Sequence, residues 1–164
     1  MQVLDDRQIR QKIRRLAIEI REHNYEEPEI ILAGINNRGM AFARLLHAEL
    51  TASSNQKITL THLRVNPADP LATEVQLEIP IEYVKGKTLI VVDDVANTGR
   101  TIFYACKPIL ETLPKKVEVA VMVDRTHKSF PVKVDYFGIS LATTLLEDID
   151  VQIAENQPFG VFLN

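Results

Sequence analysis

Residues 89–101 read LIVVDDVANTGRT: four apolar residues, two adjacent acids, and a Thr-Gly-Arg-Thr turn. The apolar run, extended back to Lys87, suits a strand covered on both faces, as in a parallel sheet. Gly99 lets the backbone turn tightly, so that successive N–H groups converge on one concavity, and a helix opening there adds free N–H groups and a favourable dipole. Thr98 and Thr101 add hydroxyl donors. The stretch therefore predicts a cradle for a phosphate monoester. Asp93 and Asp94, immediately before it, are good acceptors for a vicinal diol and can also organise Mg2+ through its waters. A diol beside a phosphate cradle describes a ribose 5-phosphate.

The flanking sequence alternates strand and helix. Residues 5–24 predict a helix opened by Asp5 or Asp6, with Ile9, Ile13, Leu16, Ala17 and Ile20 in one apolar stripe. PEIILAGI (28–35) reads as a buried strand, MAFARLLHAEL (40–50) as a helix and KITLTHLRV (57–65) as a second strand. NPADPLATEVQ (66–76), with two prolines, predicts an exposed loop. Residues 87–95 form the clearest strand, 99–113 a helix stopped near Pro114, 117–124 a buried strand and 134–141 a strand leading into a loop; VQIA and FGVFLN close the chain. The expectation is an α/β fold of one domain, 1–164, with a mostly parallel central sheet flanked by helices. Ligands in such sheets sit beyond the carboxyl ends of the strands. Gly34–Gly39, Asp93–Thr101 and Asp124–Lys128 all begin at such ends.

Composition narrows the alternatives. An apolar fraction of 46% and a charged fraction of 25% are those of an ordinary globular protein. A net charge of −3 gives no global pull toward nucleic acid or anionic membrane. The single cysteine, Cys106, excludes an internal disulfide and a Cys-rich zinc site, and its place in a predicted helix reads as core packing. His23, His47 and His62 lack metal-like spacing. The N-terminus has no signal-peptide core, and no run approaches the roughly 18 apolar residues of a membrane span, so a cytoplasmic protein is expected. There is no G-x-G-x-x-G, and GINNRGMA has the glycine spacing of a P-loop without its Lys-Ser/Thr, which removes support from NAD binding and ATP hydrolysis.

LIVVDDVANTGRT resembles the phosphoribosyl pyrophosphate (PRPP) signature of the type I phosphoribosyltransferases. QIRQKIRRLAIEI, ILAGINNRGMAFARLL and VAVMVDRTHKSFPVKVDYFG extend the resemblance to the pyrimidine operon attenuators that double as uracil phosphoribosyltransferases. It implies the type I fold with a small hood, a homodimer or higher oligomer, and Mg2+-dependent transfer from PRPP to a nucleobase, with uracil leading and a purine as the alternative. By that resemblance Asp93 and Asp94 hold the ribose hydroxyls, while Val95, Ala96, Asn97, Thr98, Gly99, Arg100 and Thr101 surround the 5-phosphate. Asn36, Asn37, Arg38 and Gly39 form the pyrophosphate loop, with Arg38 its charged contact. The 62–76 loop stands in the place of the mobile hood, and Arg64 reaches the pyrophosphate from it; Val65 and Asn66 replace the acidic pair the family places there. Mg2+ is held mainly through PRPP and water, with Asp93 and Asp94 the nearest acids. No covalent nucleophile is required.

The base is expected among residues 124–144, at Asp124, Arg125, Phe137, Gly138 and Ile139. Asn97 stands where purine-salvage relatives often carry an aspartate, which disfavours a purine. The resemblance also implies a second class, a regulator that binds an mRNA leader and uses the pocket as a nucleotide sensor. Arg7, Arg10, Arg14 and Arg21 share one face of the first helix, as phosphate contacts require, with His127 and Lys128 as further candidates. Glu19, Glu22, Glu26 and Glu27 crowd that face, and ISLATT (139–144) lacks the basic residue expected of RNA-binding members.

Overall fold

Apolar runs long enough for strands become the inner strands of one sheet. The computed structural model describes residues 1–143 and 146–164, so Thr144, the last residue of the segment expected to read a base, lies outside the described residues. The elements run β1 (Gln2–Leu4), α1 (Asp6–His23), β2 (Glu29–Ile35), α2 (Asn36–Ser53), β3 (Lys57–Arg64), β4 (Gln76–Leu77), α3 (Ile81–Val84), β5 (Thr88–Ala96), α4 (Arg100–Ala105), a 3-10 turn (Lys107–Glu111), β6 (Lys116–Arg125), β7 (Tyr136–Leu141), β8 (Ile149–Gln152) and β9 (Gly160–Leu163). Among the described residues the main sheet has the order β4-β3-β2-β5-β6-β7, parallel except for β4, and β1-β9-β8 form a second, antiparallel sheet. This is the expected α/β architecture.

Every residue of β2 is buried, and its alternate side chains feed two cores. Ile30 and Leu32 join Ile9, Leu16, Phe42 and Leu46 beneath α1 and α2. Ile31 and Ala33 join Leu89, Val91, Ile102 and Ile109 on the opposite face. α1 opens as its sequence predicts: the Asp5 carboxylate accepts from the Gln8 amide at 2.8 Å and the Gln8 side chain accepts from the Asp5 amide at 2.9 Å. Such a reciprocal cap satisfies two otherwise orphaned donors.

Four expectations need correction. α2 begins at Asn36 rather than residue 40, so the expected pyrophosphate loop is one left-handed residue, Asn36 (φ 50°), and the first helical turn. The predicted 99–113 helix ends at Ala105 and gives way to a 3-10 turn holding Pro108, whose ring and missing N–H break the α-helical ladder. The 66–76 segment, expected to be loop throughout, ends in regular structure. It carries the unpredicted strand β4 back against β3, whereas the small second sheet is assembled from the two chain ends. β1 and α3 were likewise not predicted; β1 is fixed by pairing with β9, where the N-terminal ammonium donates to the Leu163 carbonyl at 2.7 Å.

At the amino end of the sheet, the buried Glu29 carboxylate accepts from Thr59 and, at 2.6 Å, from Tyr83, with Lys87 3.6 Å away. That acid is fully occupied as structure, which leaves the carboxyl end as the open one.

Candidate functional site

β2 is followed by β3 on one side of the sheet, whereas β5, β6 and β7 extend it on the other. The strand order therefore reverses between β2 and β5, and a crevice at such a switch point is where open α/β sheets bind ligands. Gly34–Gly39 end one strand of that crevice, and Asp93 and Asp94 lie near the end of the other.

Close approach explains both glycines of the first segment. A Cβ on Gly34 would lie 2.6 Å from the Met40 Cα, and one on Gly39 would lie 2.5 Å from the Val92 carbonyl oxygen and 3.3 Å from Asp93 Oδ1. The start of α2 is thus pressed onto the acids. Asn36 locks the turn: its amide group donates to the Val65 carbonyl at 2.8 Å, and its Oδ1 accepts from the Val65 amide at 3.0 Å. Its side chain therefore holds the β3 end in place, and Asn37 and Arg38 are the exposed members of the segment. Arg64 is exposed at the end of β3 and shares a cleft of about 690 Å3 with Asn37, His62 and Asn66.

Asp93 and Asp94 are buried. The Asp94 amide donates to Asp93 Oδ1 and the Val95 amide to Asp94 Oδ1, each at 2.8 Å. Burial, and then the neighbouring Asp94 charge, hold the Asp93 carboxyl well above the usual range. Arg38 Nη1 stands 3.7 Å from Asp94 Oδ2 and 3.2 Å from Asp150 Oδ1 on β8. Asp150 was missed by sequence reasoning; nothing local in IDVQ marks a strand that folds back over a crevice built far upstream.

One oxygen of each acid already accepts a backbone N–H, and among the described residues no three His, Cys, Asp or Glu side chains are arranged to hold an ion. The pair fits a Mg2+ that brings most of its ligands as water and donor oxygens, the usual habit of that ion, better than a protein-built cage.

The turn expected to cradle a phosphate has Gly99 at φ 87°, a conformation that other residues adopt only with strain. A small concavity of about 50 Å3 is lined by residues 95–102 alone. α4 is only six residues long, so the cradle rests on the turn's own N–H groups and hydroxyls more than on a helix dipole. Asn97 and Arg100 are exposed at its rim, with Thr98 and Thr101 half-buried.

The base candidates separate. Asp124 and Arg125 end β6, level with Ser140 and Leu141 of β7. Arg125 is buried and donates to the Glu147 carbonyl. The carbonyls of Phe137 and Gly138, however, accept from Arg15 Nη2 of α1 at 3.4 and 3.1 Å, and Ile139 packs against the core. β7 is an edge strand whose open carbonyls α1 caps, so the backbone expected to read a base at Phe137 and Gly138 is engaged, and the strand end at Ser140–Leu141 is the part beside Asp124.

The proposed RNA residues also divide. Arg7 and Arg14 are exposed. Arg10 donates to Asp6 at 2.9 Å with its guanidinium 4.2 Å above the Phe159 ring, and Arg21 donates to the Ser53 carbonyl at 2.9 Å. His127 is exposed, but Lys128 turns inward, 2.6 Å from Asp124 and 3.5 Å from the Ala96 carbonyl. Cys106 is half-buried, and burial pushes its thiol up to about 11, as core packing implies.

The fold resembles those of solved purine phosphoribosyltransferases. A hypoxanthine-guanine phosphoribosyltransferase from Bacillus anthracis superposes with a TM-score of 0.69 at 20% identity, over 85% of this chain and 81% of that one. The hypoxanthine phosphoribosyltransferase of Trypanosoma cruzi gives 0.72 at 17% identity, over 86% and 81%. In sequence, the bifunctional protein PyrR of Streptococcus pyogenes serotype M12 is 32% identical over 94% of this chain and 90% of its own length. The pyrimidine operon regulatory protein of Lactococcus lactis subsp. lactis is 35% identical over 94% and 91%. The family described as the phosphoribosyl transferase domain matches residues 1–155. With its acid pair, glycine turn and switch-point crevice, the chain belongs to the type I phosphoribosyltransferase family, alongside relatives named for pyrimidine-operon regulation.

Proposed function

We propose that this protein transfers ribose 5-phosphate from PRPP to a nucleobase, with uracil the acceptor, giving UMP and pyrophosphate. The observation that carries the reading is the buried Asp93–Asp94 pair set against the left-handed Gly99 turn across the β2/β5 crevice. The acids accept from the ribose hydroxyls and the turn 95–101 holds the 5-phosphate. As the bond from the anomeric carbon to pyrophosphate breaks and the bond to the base nitrogen forms, charge develops on the departing oxygens. Arg38, Arg64 and the N–H groups of Asn37 to Gly39 stand where that charge goes. When bound, Mg2+ supplies further neutralisation of the pyrophosphate. Asn97 offers no carboxylate for a purine ring proton, which favours a pyrimidine, and Asp124 is the acceptor for a ring N–H. The resemblance adds assembly as a dimer or higher oligomer.

The test is pyrophosphate release from PRPP and Mg2+ with uracil, hypoxanthine, guanine, adenine, xanthine and orotate in parallel. Turnover with uracil alone is the expected result; turnover with a purine instead overturns the acceptor, and no turnover with any base overturns the enzyme reading.

A second reading, an RNA-binding regulator that senses nucleotides in the same pocket, is favoured by the exposed Arg7 and Arg14 and by the relatives' names. Tight nucleotide binding without turnover, together with retention of a pyrimidine-operon leader RNA, is its signature.

A further inference from the structure

The connection from β6 to β7 reaches back and grips the phosphate turn. The Ser129 and Phe130 amides donate to the Thr98 carbonyl at 3.0 and 3.2 Å. The Val132 side chain fills the space beside Gly99, where an added Cβ would lie 3.1 Å away. Lys128 does most. Its side chain is four-fifths buried, and its ammonium donates to the Arg125 carbonyl, to Asp124 Oδ1 at 2.6 Å, and reaches the Ala96 carbonyl at 3.5 Å. One cation thus touches Ala96 of the phosphate turn and the acid at the end of β6.

We propose that residues 125–132 are a strap coupling the two halves of the site, with Lys128 as its positioning residue, so that a phosphate monoester in the turn and a planar ring N–H donor at Asp124 each bind more tightly when the other is present. The inference rests on the phosphoribosyltransferase reading. With the turn empty, the ammonium occupies the Asp124 carboxylate that a ring N–H would use. A phosphate beside Ala96 competes for the same ammonium, loosening that pair and leaving an Asp124 oxygen free to accept. By linkage the effect is reciprocal: a ring that draws on Asp124 releases the ammonium toward the phosphate.

Calorimetry on the full chain tests this with ribose 5-phosphate and with uracil or hypoxanthine, each titrated alone and at saturation of the other. The wild type is expected to show a coupling of at least about fivefold for one of the two rings, the lower end for coupled sites. Lys128→Met is expected to bring the factor to about one while ribose 5-phosphate still binds, and Lys128→Arg to restore it. A role in packing alone would move the melting temperature or both affinities and leave the ratio intact, which overturns the strap. If Lys128→Met fails to fold, Asp124→Asn must lose the coupling instead; retention there overturns the proposal. Wild-type binding of ribose 5-phosphate without coupling to either ring sinks the strap and spares the phosphate-site reading, whereas no binding of ribose 5-phosphate sinks both.

Discussion

Asp93 sits where its charge is disfavoured, buried and bonded through one oxygen to the amide of a second acid. Its folded pKa lies well above the ordinary value of 3.8. The stability linked to this group is therefore complete below about pH 4 and is lost as pH rises through the folded value. At pH 7 Asp93→Asn should consequently raise the melting temperature, with the gain vanishing below about pH 4, where both side chains are neutral. The same substitution should weaken PRPP binding ~10- to 100-fold in the presence of Mg2+, the scale of one lost charge-assisted hydrogen bond. A melt unchanged at pH 7, or normal donor affinity by calorimetry, would contradict the roles given to this acid. Gly39 makes the opposite kind of demand. A methyl group there meets the Val92 carbonyl at 2.5 Å, so Gly39→Ala must push α2 off β5. The expected loss is about 1–3 kcal/mol, as for other overpacked sites, read as a lower denaturation midpoint with unchanged slope.

β8 brings Asp150 across the crevice to Arg38, so the small sheet of the chain ends and the mouth of the site are tied by one exposed ion pair. Such pairs contribute about 0.2–1 kcal/mol. Asp150→Asn should therefore leave stability nearly unchanged but release Arg38 for the donor, tightening PRPP binding by up to about fivefold at low salt. The advantage should disappear near 1 M salt, where exposed charges are screened; weaker binding in the variant would mean that Asp150 orients Arg38 rather than competing for it. The pair also marks where sequence stops being informative. β2, β5 and β6 were legible because each carries five to seven consecutive residues buried between the two faces of the sheet. The acid pair and Gly99 were legible because their chemistry is local. β1, β4 and β9 span two to four residues and exist through pairings, one of them between the chain ends. For the same reason Asp150, the Arg15 cap on β7 and the inward turn of Lys128 had no local signal strong enough to place them.

Taken across its surface, this protein carries a net charge of −3, so any RNA must be held by a local patch rather than by the general field. α1 offers less of one than its four aligned arginines suggest. Arg10 is paired with Asp6 and stacked on Phe159, tying the helix to the segment before β9, and Arg21 is spent on the end of α2. Arg7 and Arg14 remain outward, with the exposed His127 on a different connection. Two phosphate contacts on single-stranded RNA correspond to a slope of log K against log salt of roughly −1.4, and four to roughly −2.8. Filter binding to a pyrimidine leader over a salt series should accordingly give a shallow slope near the lower figure. Arg7→Glu with Arg14→Glu should abolish retention while phosphoribosyl transfer is untouched, because neither residue approaches the crevice. Charge reversal at Arg10 is a poorer probe, since it also removes the contacts to Asp6 and Phe159. A slope steeper than about −3 would require a basic surface that α1 does not present, and retention unchanged in the double variant would remove α1 from RNA recognition altogether.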